Sequence, residues 1–186
     1  MRMPTLDRHW TVDDINALPD DGNRYEVIDG ELFVTPAPIA RHQVAVGELF
    51  ARLRDYLRRE PIGYAFVSPA DIVFSPRRSV QPDVFVVPLV NGRRPESWSD
   101  VHTLLVAAEV ISPSSRRADR IVKRALFRDE GVAEYWVVDV DARTIERSTP
   151  AGARTEAIND QLVWSPRGAR EPFTLALAEY FGDVLG

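Results

Sequence analysis

A mixed α/β fold follows from three features of the 186-residue sequence. Two alternating runs joined by Asp29-Gly30 read as a β-hairpin. An amphipathic stretch over residues 40–59 reads as a helix. Beyond it, short runs of consecutive apolar residues alternate with a second helical stretch, the pattern of buried strands beside a packing helix. The order hairpin, helix, three strands, helix, strand predicts a single domain over residues 1–186, with its core at about 24–140.

Residues 10–18 predict a short helix capped by Thr11, with Asp13 and Asp14 in the first turn, where the helix dipole favours acids. Pro19-Asp20-Asp21-Gly22 breaks the chain. The hairpin spans Arg24 to Val34, because Asp-Gly suits the positive φ angles of a tight turn. In residues 40–59, Val44, Leu49, Leu53, Tyr56 and Leu57 form one apolar stripe, and Pro61 to Gly63 stops it. Strand-like runs follow at Tyr64 to Val67 with Ile72 to Phe74, at Val84 to Val87, and at Leu104 to Ile111. The last is apolar on both faces except at Glu109, as a central buried strand would be.

Ser112-Pro113-Ser114-Ser115 then caps a second helix at roughly 115–130, closed by Gly131. At about 100° per residue, Ala118, Ile121, Val122, Ala125 and Leu126 make its apolar face. Arg117, Arg120, Arg124 and Arg128 fall opposite, most simply a solvated face. Lys123 falls on the flank, between Asp119 and Phe127. Glu134 to Val140 predicts another buried strand, and Thr144 to Ser148 and Leu162 to Trp164 two more. Phe173 to Leu185 is amphipathic and predicts a short helix at its end.

Composition narrows the function. The chain has no cysteine, which excludes disulfides, thiolate metal sites and thiol nucleophiles. With 45% hydrophobic and 27% charged residues it is neither a disordered polymer nor a membrane protein. The longest apolar run, Leu104 to Ala108, is far short of the roughly 20 residues a bilayer needs. Met1 to Trp10 carries Asp7, Arg8 and His9 in place of a signal peptide's apolar segment, so a soluble cytoplasmic protein is expected. A net charge of −5 argues against a surface that attracts nucleic acid all over, though not against one basic face. His9, His42 and His102 lack metal-ligand spacing, and no GxSxG, P-loop or dinucleotide glycine pattern occurs.

Of the 23 basic residues one is lysine, Lys123, and the rest are arginine. Arginine-rich coding accounts for the bias in general. A retained ammonium is a compact point charge whose pKa can move, which a guanidinium does not offer. Two carboxylates stand inside apolar runs: Asp83 in Gln81-Pro82-Asp83-Val84, and Glu109 near the end of its strand. Burying each costs several kcal/mol unless it is paired or bound to a metal, roughly speaking. If the two strands are antiparallel neighbours, both acids reach one sheet edge, where hard oxygen ligands suit Mg²⁺ or Mn²⁺. Taken singly, Asp83 reads as a strand-entry cap and Glu109 as the partner of a buried arginine. Asp119–Lys123 likewise reads as an i,i+4 surface pair worth about 0.3–0.5 kcal/mol.

Pro82-Asp83, Glu109 on a following strand and then a helix resemble the PD-(D/E)XK nuclease superfamily, the restriction-endonuclease-like fold. More closely, the chain resembles a large bacterial family of restriction-endonuclease-like proteins. It shares the hairpin Tyr25 to Leu32, Arg41-His42, Gln81-Pro82-Asp83, Glu109 to Ser114, Lys123, and Gly131 to Trp136. The likeness runs over about residues 10–150. It implies a mixed β-sheet flanked by helices, with an N-terminal β-hairpin. It departs from the superfamily at Ile111, where a lysine is usual, and implies that this lysine has moved to Lys123.

The resemblance further implies a metal-dependent endonuclease acting on duplex DNA. Asp83 and Glu109 would bind Mg²⁺ or Mn²⁺, with Lys123 as the third catalytic residue. Glu26, Glu31, His42, Gln81 and Ser112 would stand around them, and Arg41 and Arg116 would meet phosphates. Glu26 and Glu31 read equally well as polar residues on the outer face of a hairpin. The alternative is a catalytically inactive nuclease-fold module that binds DNA or protein. A homodimer is expected from the family likeness, from the twofold symmetry of duplex cleavage, and from the apolar surface offered by Trp98, Trp136, Trp164 and the C-terminal segment.

Overall fold

The hairpin forms where its alternation and its turn residues agree. β1 (Arg24–Ile28) pairs antiparallel with β2 (Glu31–Thr35), and Asp29 and Gly30 between them have φ of 52° and 88°. The computed structural model describes residues 9–113, 115–152 and 154–186. The first eight residues, where no signal segment was read, and Ser114 of the predicted helix cap lie outside the described residues. Before the hairpin, α1 (Val12–Asn16) starts at the expected Thr11 cap, with Asp14 and Thr11 closing a reciprocal capping box.

α2 (Ala40–Arg59) matches the predicted span. Its buried side is Ala45, Val46, Leu49, Leu53, Tyr56 and Leu57, whereas Val44 is exposed. The correction is one of phase: Ala45, not Val44, stands one turn before Leu49. Next come β3 (Gly63–Val67), β4 (Ile72–Ser75), β5 (Arg78–Val80), β6 (Val84–Pro88) and β7 (Val106–Val110). β5 was not foreseen, since three residues around Ser79 carry no periodicity.

α3 departs from the expected helix. It runs as a π-helical stretch over Ala118–Lys123 and continues as an α-helix over Arg124–Asp129. Gly131, at φ 71°, follows its end. The widened turn changes which side is buried: Asp119, Lys123, Leu126 and Phe127 point inward, while Ile121 is exposed. β8 (Glu134–Asp139), β9 (Thr144–Ser148), β10 (Glu156–Ile158), β11 (Gln161–Trp164), β12 (Phe173–Ala176) and α4 (Leu177–Leu185) complete the chain.

Six strands make a mixed sheet in the order β10-β9-β8-β7-β6-β3, parallel only between β7 and β8. A second sheet, β2-β1-β5-β4, contains the hairpin. Strand alternation sends Val84, Val86, Val106, Ala108, Val110, Trp136 and Val138 into one core, with residues of α2, α4, β11 and β12. It sends Phe85, Ala107, Tyr135 and Val137 into the other, with Leu126 and Phe127 of α3 and Ile28, Ile72 and Val80 of the smaller sheet. The chain is thus a mixed α/β structure with a helix-flanked mixed sheet and an N-terminal hairpin, as the sequence predicts.

Two expectations about surface fail. Trp136 and Trp164 lie within the first core and only Trp98 is substantially exposed, at 37%. Phe173, Leu175, Leu177, Tyr180, Phe181 and Val184 of the C-terminal segment are also buried in that core. The surplus apolar surface expected of these residues is spent inside the chain.

Candidate active site

Asp83 stands one residue before β6, and β6 runs antiparallel to β7 with Val84 opposite Ala108. One further step in that register sets Asp83 opposite Glu109, on the same side of the sheet as Phe85 and Ala107. The two acids therefore meet as the antiparallel condition requires. Glu26 comes from β1, Lys123 and Asp119 from the π stretch of α3, and His42 from the first turn of α2.

The Lys123 ammonium lies 2.8 Å from Glu26 Oε2, 3.0 Å from Glu109 Oε1 and 3.6 Å from Asp119 Oδ1. All four side chains are at most 5% exposed, so the i,i+4 surface pair is in fact part of a buried cluster. Burial by itself would lower the ammonium's pKa, but Glu109, Glu26 and Asp119 outweigh it and raise it. Lys123 is therefore a permanent cation. Burial raises Glu109 well above the ordinary carboxylate range, and Asp83, Asp119 and Glu26 raise it further against the pull of Lys123. Burial lifts Asp119 as well, again opposed by Lys123.

Asp83 is held differently. Both Arg24 Nη atoms donate to its Oδ1 at 3.0 Å, and the Val110 N–H donates to Oδ2 at 2.9 Å. His42 Nε2 lies 3.0 Å from the same Oδ2, and since an ionised carboxylate can only accept, this contact requires the proton on Nε2. Burial would raise the Asp83 carboxyl, yet the His42 hydrogen bond, the Arg24 charge and the Val110 N–H bring it down to about 2. His42 Nδ1 is buried and has no hydrogen-bond partner.

The cluster opens to a cleft of about 230 Å³, with Pro36 to Ile39 on one side and Ser112, Pro113 and Ser115 on the other. A second pocket of about 390 Å³ shares Arg24, His42 and Asp83 with it. Four carboxyl groups here face two fixed cations, Arg24 and Lys123; fully ionised they would carry an excess of two negative charges, which one divalent cation would offset. Among the described residues, however, no three His, Asp or Glu side chains form a ready metal shell. The donors fit an oxygen-preferring cation held by two carboxylates, with water and phosphate oxygens as its other ligands, the usual habit of Mg²⁺. They do not fit a closed cage made by protein alone.

The other expected residues divide. Glu26 joins the cluster and also accepts the Gln81 N–H at 2.8 Å. Gln81 contributes this main-chain group, while its side chain donates to Asp71. Ser112 lines the cleft and bonds Ser115. Glu31 is exposed at the turn end of the hairpin, opposite Ile28, and is not brought to the cluster. Arg41 pairs with Asp141 on the surface, and Arg116 is exposed. Sequence reasoning missed Arg24, which shares a hairpin face with Glu26, and the burial of Asp119. An arginine and a glutamate two apart beside the core residue Ile28 were the available signal.

The model of the Uma2 family, described as "Putative restriction endonuclease", matches residues 12–178. A crystal structure of "a putative nuclease belonging to DUF820 from Anabaena variabilis ATCC 29413" is similar in fold, with a TM-score of 0.78. It is 22% identical, and the alignment covers 94% of this chain and 99% of that one. No curated protein matches.

Proposed function

Because the chain belongs to the Uma2 family, we propose that it is a metal-dependent endonuclease that hydrolyses DNA phosphodiester bonds. Asp83, Glu109 and Lys123 are its catalytic residues in this reading. The observation that carries it is their convergence, from three separate elements, in a buried cluster that opens to a cleft. Asp83 and Glu109 hold Mg²⁺ or Mn²⁺. When bound, the cation neutralises charge on the scissile phosphate and makes water a better nucleophile. Lys123, kept protonated by Glu26 and Asp119, stabilises the negative charge that grows on the phosphoryl oxygens. Glu26 and Asp119 are positioning residues that aim this ammonium. Arg24 and His42 position Asp83 and keep it ionised. Two copies related by a twofold axis would set one such site against each strand of a duplex, which is the reason to expect a homodimer.

One observation favours the alternative, a non-cleaving module that binds DNA or protein. A carboxylate offers about four acceptor sites, and Asp83 fills them with two Arg24 contacts, His42 and the Val110 N–H. A cation binding there must displace one of these donors. Plasmid nicking with Mg²⁺ and with Mn²⁺ separates the readings. The wild type should nick only with a divalent cation, and Asp83→Ala and Lys123→Arg should each lose at least about 100-fold. A folded wild type that nicks under neither cation would leave the non-cleaving module as the function.

A further inference from the structure

The helix that carries Lys123 has a second, differently charged flank. α3 packs on β8. The carboxylate cluster lies on its β7 side, while on its β9 side a pocket of about 370 Å³ opens between the helix and the β9–β10 connection. Three arginines line this pocket, Arg124 and Arg128 from the helix and Arg154 from the connection. Ser148, Thr149 and Thr155 add hydroxyls to its wall. Among the described residues no Asp or Glu lines it.

Several other arginines of the chain are matched by acids. Arg120, one turn before Arg124, is occupied by Asp139 and Glu146. Arg78 is occupied by Asp29 and Glu130, and Arg147 by Glu134. Among the described residues Arg124 and Arg154 meet no carboxylate, and Arg128 meets only its exposed neighbour Asp129. In a chain of net charge −5, such a concave set of arginines without matching acids calls for an anion from outside.

The pocket is also organised in advance. Arg124 Nη1 donates to Thr155 Oγ1 at 2.6 Å, and Thr155 Oγ1 lies 3.2 Å from Ser148 Oγ. This chain of hydroxyls holds one edge of the guanidinium and leaves its other N–H groups free to make paired bonds to an oxyanion. Tyr135 forms the wall toward the cluster: its ring lines the pocket, and its hydroxyl donates to the Asp119 carbonyl at 2.8 Å. The two sites thus stand back to back across one helix and one tyrosine.

We propose that Arg124, Arg128 and Arg154 form a phosphate-binding pocket separate from the carboxylate cluster. Planar guanidinium forks match phosphate oxygens, and the neighbouring hydroxyls complete a phosphate's acceptor demand. The phosphate comes either from the backbone of a nucleic-acid strand or from a free nucleotide. This inference rests on the pocket and not on cleavage, so its test is run in EDTA, where the carboxylate site is silent.

Binding of a fluorescent duplex oligonucleotide is followed by anisotropy over a series of salt concentrations. Calorimetry with inorganic phosphate and with a nucleoside monophosphate tests the free source. The variants are Arg128→Ala/Arg154→Ala, which alters only exposed side chains, and Arg124→Gln, with Arg58→Ala as a distant control. If a strand backbone is the source, the double variant binds the oligonucleotide about ten-fold more weakly, and its salt slope falls by about 1.5–2. If a free nucleotide is the source, Arg124→Gln and the double variant lose the calorimetric signal and oligonucleotide binding is unchanged. Equal binding of every probe by wild type, variants and control, or no binding of any probe by the wild type, overturns the proposal.

Discussion

The two faces of the six-stranded sheet are made from alternate residues of the same strands, yet they follow different rules. Toward α2 and α4 the inward residues of β6, β7 and β8 are apolar from Val84 and Val86 through Val106, Ala108 and Val110 to Trp136 and Val138, apart from Glu134 at the start of β8, which is paired with Arg147. Toward α3 and the smaller sheet, Phe85, Ala107, Tyr135 and Val137 keep up the same packing until the edge, where Asp83 and Glu109 interrupt it. The first face gains stability chiefly from burial, at about 25 cal/mol per Å² of apolar surface. The second spends part of that gain on desolvating three carboxyl groups around Lys123 and a fourth, Asp83, beside Arg24. A chain selected for stability alone would extend the first pattern to the second edge, so the contrast supports the proposed site.

Four substitutions can break or sharpen that contrast. The largest effect is expected at Lys123→Met, which leaves Glu26, Glu109 and Asp119 buried without their common cation. Urea denaturation at pH 7 should show a loss of about 3–5 kcal/mol; a loss under 1 kcal/mol would mean the cluster relaxes into water. Next is Leu53→Ala on the apolar side, fully buried among α2's neighbours, with an expected loss of about 2–5 kcal/mol in the same assay. Its cost should be indifferent to added Mn²⁺, whereas that of Lys123→Met should change with it.

Glu109→Gln should behave unlike either. It puts a neutral amide in place of a carboxyl group whose ionisation burial and the neighbouring acids oppose, so thermal melting without metal should give a Tm equal to or above that of the wild type. A clear drop would show that the ionised Glu109 is structurally required. The smallest effect belongs to Arg120→Ala, whose ion pairs with Asp139 and Glu146 are partly exposed and worth less than about 1 kcal/mol. Burial pushes Asp139 up, but the Ala142 N–H and Arg120 outweigh it and hold it below its usual 3.8. A depressed carboxyl stabilises the fold above its unfolded pKa and loses that contribution as pH falls through the folded one. The difference between wild type and Arg120→Ala should therefore begin to shrink as the pH falls to about 3.8 and vanish only below the depressed folded value.

How far the sequence discloses this arrangement depends on the kind of signal. Asp83 and Glu109 are legible because a carboxylate inside an apolar strand contradicts its surroundings, and Lys123 because it is the one lysine among 23 basic residues. The Asp29-Gly30 turn and the span of α2 are legible because local chemistry fixes them. Arg24 is not, since an Arg-x-Glu face on a hairpin looks the same whether it meets water or a second sheet. The burial of Asp119 escapes for another reason. A helical wheel assumes a constant turn, and the π stretch Ala118–Lys123 breaks that assumption at the residues that matter. Glu31 errs the opposite way: it shares Glu26's face but lies too near the turn to reach the cluster.

The central claim is that the charged face of the sheet is a divalent-cation site. Calorimetric titration of Mn²⁺ into the wild type and into Asp83→Ala tests it most directly, with circular dichroism to confirm that both are folded. The account predicts one saturable binding event in the wild type and none in the variant. No binding by a folded wild type, or equal binding by both proteins, would contradict it.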